Sequence, residues 1–164
     1  MKEDKKARKP IRLVDFDYGS DGAYFITVCV KDRNPILSEI EKSTNRFVGQ
    51  AALCLPKINL TEIGRIVDKY INRIEKVHSG VIVDEYVIMP DHIHLLLRFE
   101  RSGRQGAAYP TVSDIIKAFK TMVKKETGLS LFQRSYYDHI IRNEQDCLET
   151  IQYIRNNPLK YIID

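Results

Sequence analysis

The sequence predicts an α+β domain, an antiparallel sheet with helices packed on it. Three observations carry this prediction. Runs rich in β-branched and aromatic residues alternate with strongly amphipathic helical stretches. Two of the β-rich runs are separated only by Pro90 and Asp91, a link too short for a parallel crossover and suited to a hairpin. No Pro/Gly/Ser-rich linker or internal repeat divides the 164 residues, of which 43% are hydrophobic and 29% charged, so the chain can bury one core and is neither disordered nor low-complexity.

The elements follow in order. AYFITVCV at 23–30 reads as a strand ending in the turn-prone KDRNP. The stretch 36–56 mixes strand and irregular signals. Over 61–77, Ile63, Ile66, Val67, Tyr70, Ile71, Ile74 and Val77 recur at helical spacing, which predicts one amphipathic helix stopped by Gly80. VIVDEYVIM (81–89) and HIHLLLRF (92–99) form the predicted hairpin. A loop leads to a second helix, 112–126, with Ile115, Ile116, Phe119, Met122 and Val123 on its apolar face and Gly128 beyond its end. YYDHII (136–141) reads as a short strand. A last helix is predicted from the N-cap Asn143 to just before Pro158, with Cys147, Leu148, Ile151 and Ile154 as its apolar stripe. Strand, helix, hairpin, helix, strand, helix is the order of the ferredoxin-like plan.

Charge and cysteine usage narrow the function. Residues 1–12 hold six basic and two acidic residues and so carry the whole net charge of +4, leaving 13–164 neutral. We read 1–12 as a basic arm and 13–164 as one domain. No apolar run approaches a membrane span and the lysine-rich start has no apolar segment behind it, so a cytoplasmic protein is expected. Cys29, Cys54 and Cys147 are widely spaced, which indicates reduced, buried thiols and neither a disulfide framework nor a zinc cage.

Two places could carry chemistry. His92 and His94 start a strand, where residues i and i+2 share a face, so both imidazoles converge on one side while Ile93 points to the apolar layer. Such a pair can share a divalent metal if another element adds a ligand, although two histidines at a strand start are also commonplace surface residues. On the last helix, Tyr153 leaves the apolar stripe and shares its side with Glu149 and Asn157, one turn away on either side. The ordinary alternative is an interfacial tyrosine with a wet hydroxyl. Taken together the groups suggest one reaction. A phenol with a pKa near 10 is a weak nucleophile, but a metal that polarises a phosphodiester and helps deprotonate the phenol would let it attack phosphorus and become a phosphotyrosine.

Three ordered blocks, YVIMPDHIHLLL (86–97), SYYDHIIRNEQD (135–146) and IQYIRNNPLKY (151–161), together resemble the single-tyrosine HUH transposases of insertion sequences, and most of all their REP-associated tyrosine transposase branch. AYFITVCVKDRNPIL is similar to the first strand and loop of that branch. The resemblance implies a ferredoxin-like or RRM-like fold, His92 and His94 as the HUH pair, Tyr153 as nucleophile and Asn157 as third metal ligand. It also implies Mg²⁺ or Mn²⁺ as cofactor and single-stranded or hairpin DNA as substrate, cut to leave a 5′-phosphotyrosine and a free 3′-hydroxyl. Both monomers and homodimers occur in such families. Tyr136 and Tyr137 are reserve nucleophiles, near His139; His139 and His78 read as structural or surface residues.

Between Arg98 and Arg134 eight basic residues face Glu100, Asp114 and Glu126, a local basic patch inside the neutral body. Arg101, Arg104, Lys117, Lys120, Lys124 and Lys125 are its candidate DNA contacts. The same residues would serve the alternative function, a non-catalytic binder of single-stranded or hairpin repeat DNA.

Overall fold

The structure, a computed structural model, describes residues 22–41, 56–100 and 109–163. The basic arm, Cys54, Arg101 and Arg104 lie outside these residues. Strand β1 (Gly22–Cys29) is followed by a 3-10 turn at Lys31–Arg33 and by β2 (Ser38–Glu41) and β3 (Lys57–Leu60), which pair as a small antiparallel ribbon. The part of 36–56 whose sequence signals are mixed thus contributes one short strand, β2, before the described residues stop at 41.

Helix α1 (Glu62–Ile71) and the short α2 (Ile74–Val77) replace the single helix expected over 61–77. The break falls at Asn72, the C-cap of α1, whose side-chain amide donates to the Asp68 carbonyl at 2.8 Å and to the Tyr86 hydroxyl at 3.1 Å. An amide that bonds the backbone in this way competes with helix propagation. Val77, past the break, is exposed.

Strands β4 (Val81–Ile88) and β5 (His92–Phe99) form the expected hairpin, closed by a 2.9 Å bond from the Met89 N–H to the His92 carbonyl. Helix α3 (Val112–Thr127) begins in a capping box between Thr111 and Asp114 and ends at Gly128, whose left-handed backbone (φ 71°) suits glycine. Met122 is exposed, unlike the rest of its predicted apolar face. Strand β6 (Tyr137–Ile141) then leads into α4 (Glu144–Ile163), where Asn143 accepts from the Asp146 N–H at 2.9 Å as the predicted N-cap.

The main sheet has the order β4-β5-β1-β6, all antiparallel. Numbered within the sheet this is second, third, first, fourth, the ferredoxin-like arrangement the element order predicts. Because side chains alternate along a strand, the two central strands feed two cores. Tyr24, Ile26 and Val28 of β1 and Ile93, Leu95 and Leu97 of β5 pack with α1 and α3. On the opposite face Phe25 and Leu96 join Val87, Met89 and, from α4, Ile151 and Ile154. Among the described residues no helix is long and apolar enough to cross a membrane.

Candidate active site

The face of the sheet that meets α4 carries the candidate chemistry. His92 and His94 occupy alternate positions of β5, opposite Cys29 and Thr27 of β1, so both imidazoles stand on that face while Ile93 is fully buried on the other. Their Nε2 atoms are 3.1 Å apart. The remaining ring nitrogens are fixed: His92 Nδ1 meets the Asp91 carboxylate at 2.6 Å and His94 Nδ1 meets the Thr27 hydroxyl at 2.8 Å. Asp91 is held in turn by Arg33, with Nε 3.0 Å from its second oxygen. Arg33 also donates to Cys29 Sγ at 3.0 Å. Asp32 and Arg33 carry left-handed φ angles of 55° and 54°, strained for residues with side chains, and these contacts hold Arg33 in place.

The two imidazoles could serve as metal ligands. A ring nitrogen held by a carboxylate or hydroxyl directs the other nitrogen's lone pair outward, as is usual for an imidazole that binds a metal. The two Nε2 atoms are close enough together for one ion to be held by both. Burial, and after it the electrostatic influence of the neighbouring His92 and Arg33 side chains, push the His94 pKa down to about 3, which keeps its lone pair free at neutral pH. Among the described residues no group of three His, Cys, Asp or Glu is placed to hold a metal, so a third ligand drawn from them would be of another type.

Helix α4 supplies the rest. It lies on the sheet through buried Thr150, Ile154 and Pro158, with Cys147 and Ile151 partly covered, and is tied to β4 by Arg155, whose guanidinium meets Glu85 at 2.7 and 2.8 Å. Leu148, expected in the apolar stripe, is exposed, because the stripe runs through positions 147, 150/151, 154 and 157/158 and passes it by. Nor does α4 stop before Pro158. It continues to Ile163, giving up the hydrogen bond Pro158 cannot donate. That continuation brings Lys160 and Tyr161, one turn beyond Asn157, to the same cavity as Tyr153.

The cavity, about 620 Å³, is lined by Thr27, His92, His94, Tyr153 and Asn157, with Arg33, Gln133, Tyr137, Lys160 and Tyr161 around them. Tyr153 is 40% exposed. Its ring lies 5.3 Å from the His94 ring and 5.7 Å from Phe25, centroid to centroid, and the Lys160 ammonium sits 4.8 Å from its centre. Asn157 is buried. The imidazoles, tyrosine and amide singled out in the sequence thus share one cavity, though β5 and α4 are far apart in the chain. The reserve tyrosines separate: Tyr137 lines the cavity, whereas Tyr136 is buried with its hydroxyl 3.1 Å from Ser113. His139 pairs with Asp146 at the surface, away from the cavity lining.

The lysines lie apart from it. Lys117, Lys124 and Lys125 are exposed on α3, but Lys120 turns inward and donates to the carbonyls of Gln133, Arg134 and Ser135 at 2.8, 3.3 and 3.2 Å. Burial brings its pKa down to about 8. Lys31, Lys124 and Arg134 line a second hollow of about 310 Å³, and Gln133 lines both hollows.

No family model matches the chain. It is 31% identical to an uncharacterized protein of Haemophilus influenzae, over 93% of its own length and 88% of that protein's, and the two belong to one family. A second H. influenzae protein, named "Putative REP-associated tyrosine transposase", is 29% identical over 45% of the chain and 47% of its own length. A solved structure described as a REP-associated tyrosine transposase bound to a REP hairpin superposes with a TM-score of 0.60 at 20% identity, covering 89% of this chain and 72% of that one. The chain has the fold of a REP-associated tyrosine transposase. That is the fold the resemblance of its three sequence blocks implies.

Sequence reasoning on this chain misses Thr27, Arg33, Asp91, Gln133, Lys160 and Tyr161. Asp91 directly precedes His92, and Lys160 and Tyr161 stand at i+7 and i+8 from Tyr153, so helical spacing would have found them had Pro158 not been read as the helix end. For Thr27, Arg33 and Gln133 no local signal exists.

Proposed function

We propose that the protein nicks and rejoins single-stranded DNA, with Tyr153 as the nucleophile. What supports the reading is the meeting of the His92–His94 pair with Tyr153 and Asn157 in one cavity. The two imidazoles and the Asn157 side-chain oxygen would hold Mg²⁺ or Mn²⁺; two imidazoles suit Mn²⁺ on softness, and cellular abundance favours Mg²⁺. When bound, the ion supplies charge that stabilises the pentavalent phosphate and lowers the cost of forming the phenolate.

The protein's own residues do the rest. Tyr153 Oη gives its proton to water and attacks phosphorus; the bond to the 3′-oxygen breaks, that oxygen takes a proton from water and departs as a 3′-hydroxyl, and the 5′-phosphate stays on the tyrosine. Attack by a 3′-hydroxyl reverses the step and frees Tyr153, so one bond is exchanged for another without an external energy source. Lys160, whose ammonium lies 4.8 Å from the centre of the Tyr153 ring, would set a positive charge beside the phosphate under attack. Asp91 and Thr27 keep the imidazoles aimed.

Incubation with Mn²⁺ and hairpin DNA carrying single-stranded flanks is expected to give a protease-sensitive protein–DNA adduct that Tyr153→Phe abolishes. An adduct that survives Tyr153→Phe overturns the assignment. Binding unchanged by EDTA and by His92→Ala, with no adduct under any metal, identifies a hairpin-binding protein without turnover instead.

A further inference from the structure

We propose that Tyr137 and Tyr161 are stacking platforms for unpaired nucleobases on either side of the cleaved phosphate; this deepens the single-strand reading above and rests on it. Eight tyrosines fall within the described residues, and those with exposed rings are Tyr137, Tyr153 and Tyr161, at 58%, 40% and 49%. All three line the same cavity. The remainder are buried or half-buried, so exposed aromatic surface is concentrated at one place.

Position adds to composition. Tyr137 of β6 is directly opposite Thr27 of β1, which is directly opposite His94 of β5. The three therefore form a row across one face of the sheet, with Tyr137 two strand spacings, about 10 Å, from His94. Tyr161 follows Tyr153 by eight residues of helix, about 12 Å along α4. Each platform thus stands within a few nucleotides of the reacting groups. The charged side chains that line the cavity are Arg33 and Lys160, and no Asp or Glu is among the described lining residues.

Flat aromatic faces beside cations, with no carboxylate between, match a polyanion that carries aromatic rings. They match it only when those rings are unstacked from a duplex, because stacking on tyrosine needs an open π-face. The ring and not the hydroxyl is the binding element, which separates these residues from Tyr153.

The test uses the full chain in EDTA, so that binding is read without cleavage, and a single-stranded oligonucleotide with 2-aminopurine in turn at each position flanking the cleavage site. Tyr137→Ala and Tyr161→Ala are each expected to weaken binding by at least about 5-fold and to relieve the quenching of 2-aminopurine at one position, while Tyr137→Phe and Tyr161→Phe bind within about 2-fold of the parent. An abasic site at the affected position should weaken binding to the parent and not to the matching alanine variant. Alanine variants that bind like the parent, or phenylalanine variants as weak as alanine, overturn the proposal. Both rings are exposed, and an unchanged melting temperature checks that the variants fold. Loss of the Tyr153 adduct reports on the cleavage reading alone: platforms that quench without any adduct belong to a binding protein, and an adduct with unaffected alanine variants removes the platforms only.

Discussion

His94 spends folding free energy to remain neutral. Burial lowers its pKa from 6.5 to about 3, so below pH 6.5 the unfolded chain takes up a proton that the folded chain does not. The sign follows: stability is whole above about pH 6.5 and falls as the solution is acidified, by up to about 1.4 kcal/mol per pH unit. Asp114, Glu126 and Asp146, held below the ordinary carboxylate range by hydrogen bonds, lose their contribution only at lower pH. Denaturant unfolding of the metal-free protein between about pH 6.5 and 4.5 should therefore show a slope that His94→Gln reduces. Equal slopes in the two proteins contradict it. Burial also lowers the pKa of His78, in the same direction, which makes the comparison with the variant necessary. At this scale the sequence was readable where the information was local. The phase of a strand puts His92 and His94 on one face, and that needs no partner to be known. Thr27, which fixes His94, is 67 residues away, and only the register of β1 on β5 brings it there.

Elements were legible wherever period and capping agreed. α3 begins at Val112 and ends before Gly128, as its apolar period and that glycine predict. α1 is shorter than its apolar period because Asn72 captures a carbonyl of its own helix, and α4 is longer than Pro158 suggests because the buried contacts of its last turns outweigh one missing hydrogen bond. The first turn of α1 shows how tightly an element can be seated. Thr61 accepts from the Gly64 N–H at 3.0 Å and donates to the Ile36 and Leu37 carbonyls at 2.7 and 3.0 Å. A Cβ on Gly64 would fall on the Leu37 carbonyl oxygen, which is backbone and cannot swing aside. Gly64→Ala is expected to cost about 1–3 kcal/mol despite the better helix propensity of alanine, measurable by urea unfolding. A neutral or stabilising result would mean that Leu37 yields easily.

Across the whole molecule, the site lies between two units of the fold, with the imidazoles on the sheet and Tyr153 and Asn157 on α4. Gln133 borders both the site and the hollow that holds Lys31, Lys124 and Arg134, so a strand bound as proposed would meet positive charge on leaving the site. Replacing Lys117, Lys124 and Lys125 together by glutamine should flatten the dependence of log affinity on log salt by up to about 0.7 for each phosphate no longer neutralised, and leave the position of cleavage unchanged. Anisotropy titrations at several salt concentrations measure the slope; an unchanged slope would mark this face as merely solvated. Net charge alone does not indicate this face, since residues 13–164 hold equal numbers of acidic and basic residues. Lys120 illustrates the remaining gap: its spacing on α3 matches its neighbours, yet three carbonyls claim it.

The two-residue turn at Pro90 and Asp91 constrains how this protein can change its length. Its closing bond fixes where β5 starts, and β5 alternates faces at every residue. One residue gained or lost in the turn would rotate both imidazoles into the layer beneath α1 and α3 and bring Ile93 out in their place. Two would restore the facing but slide the pair about 7 Å along the strand, away from Thr27. The turn therefore acts as a clock for the chemistry, and insertions that spare the reaction have to fall in other connections.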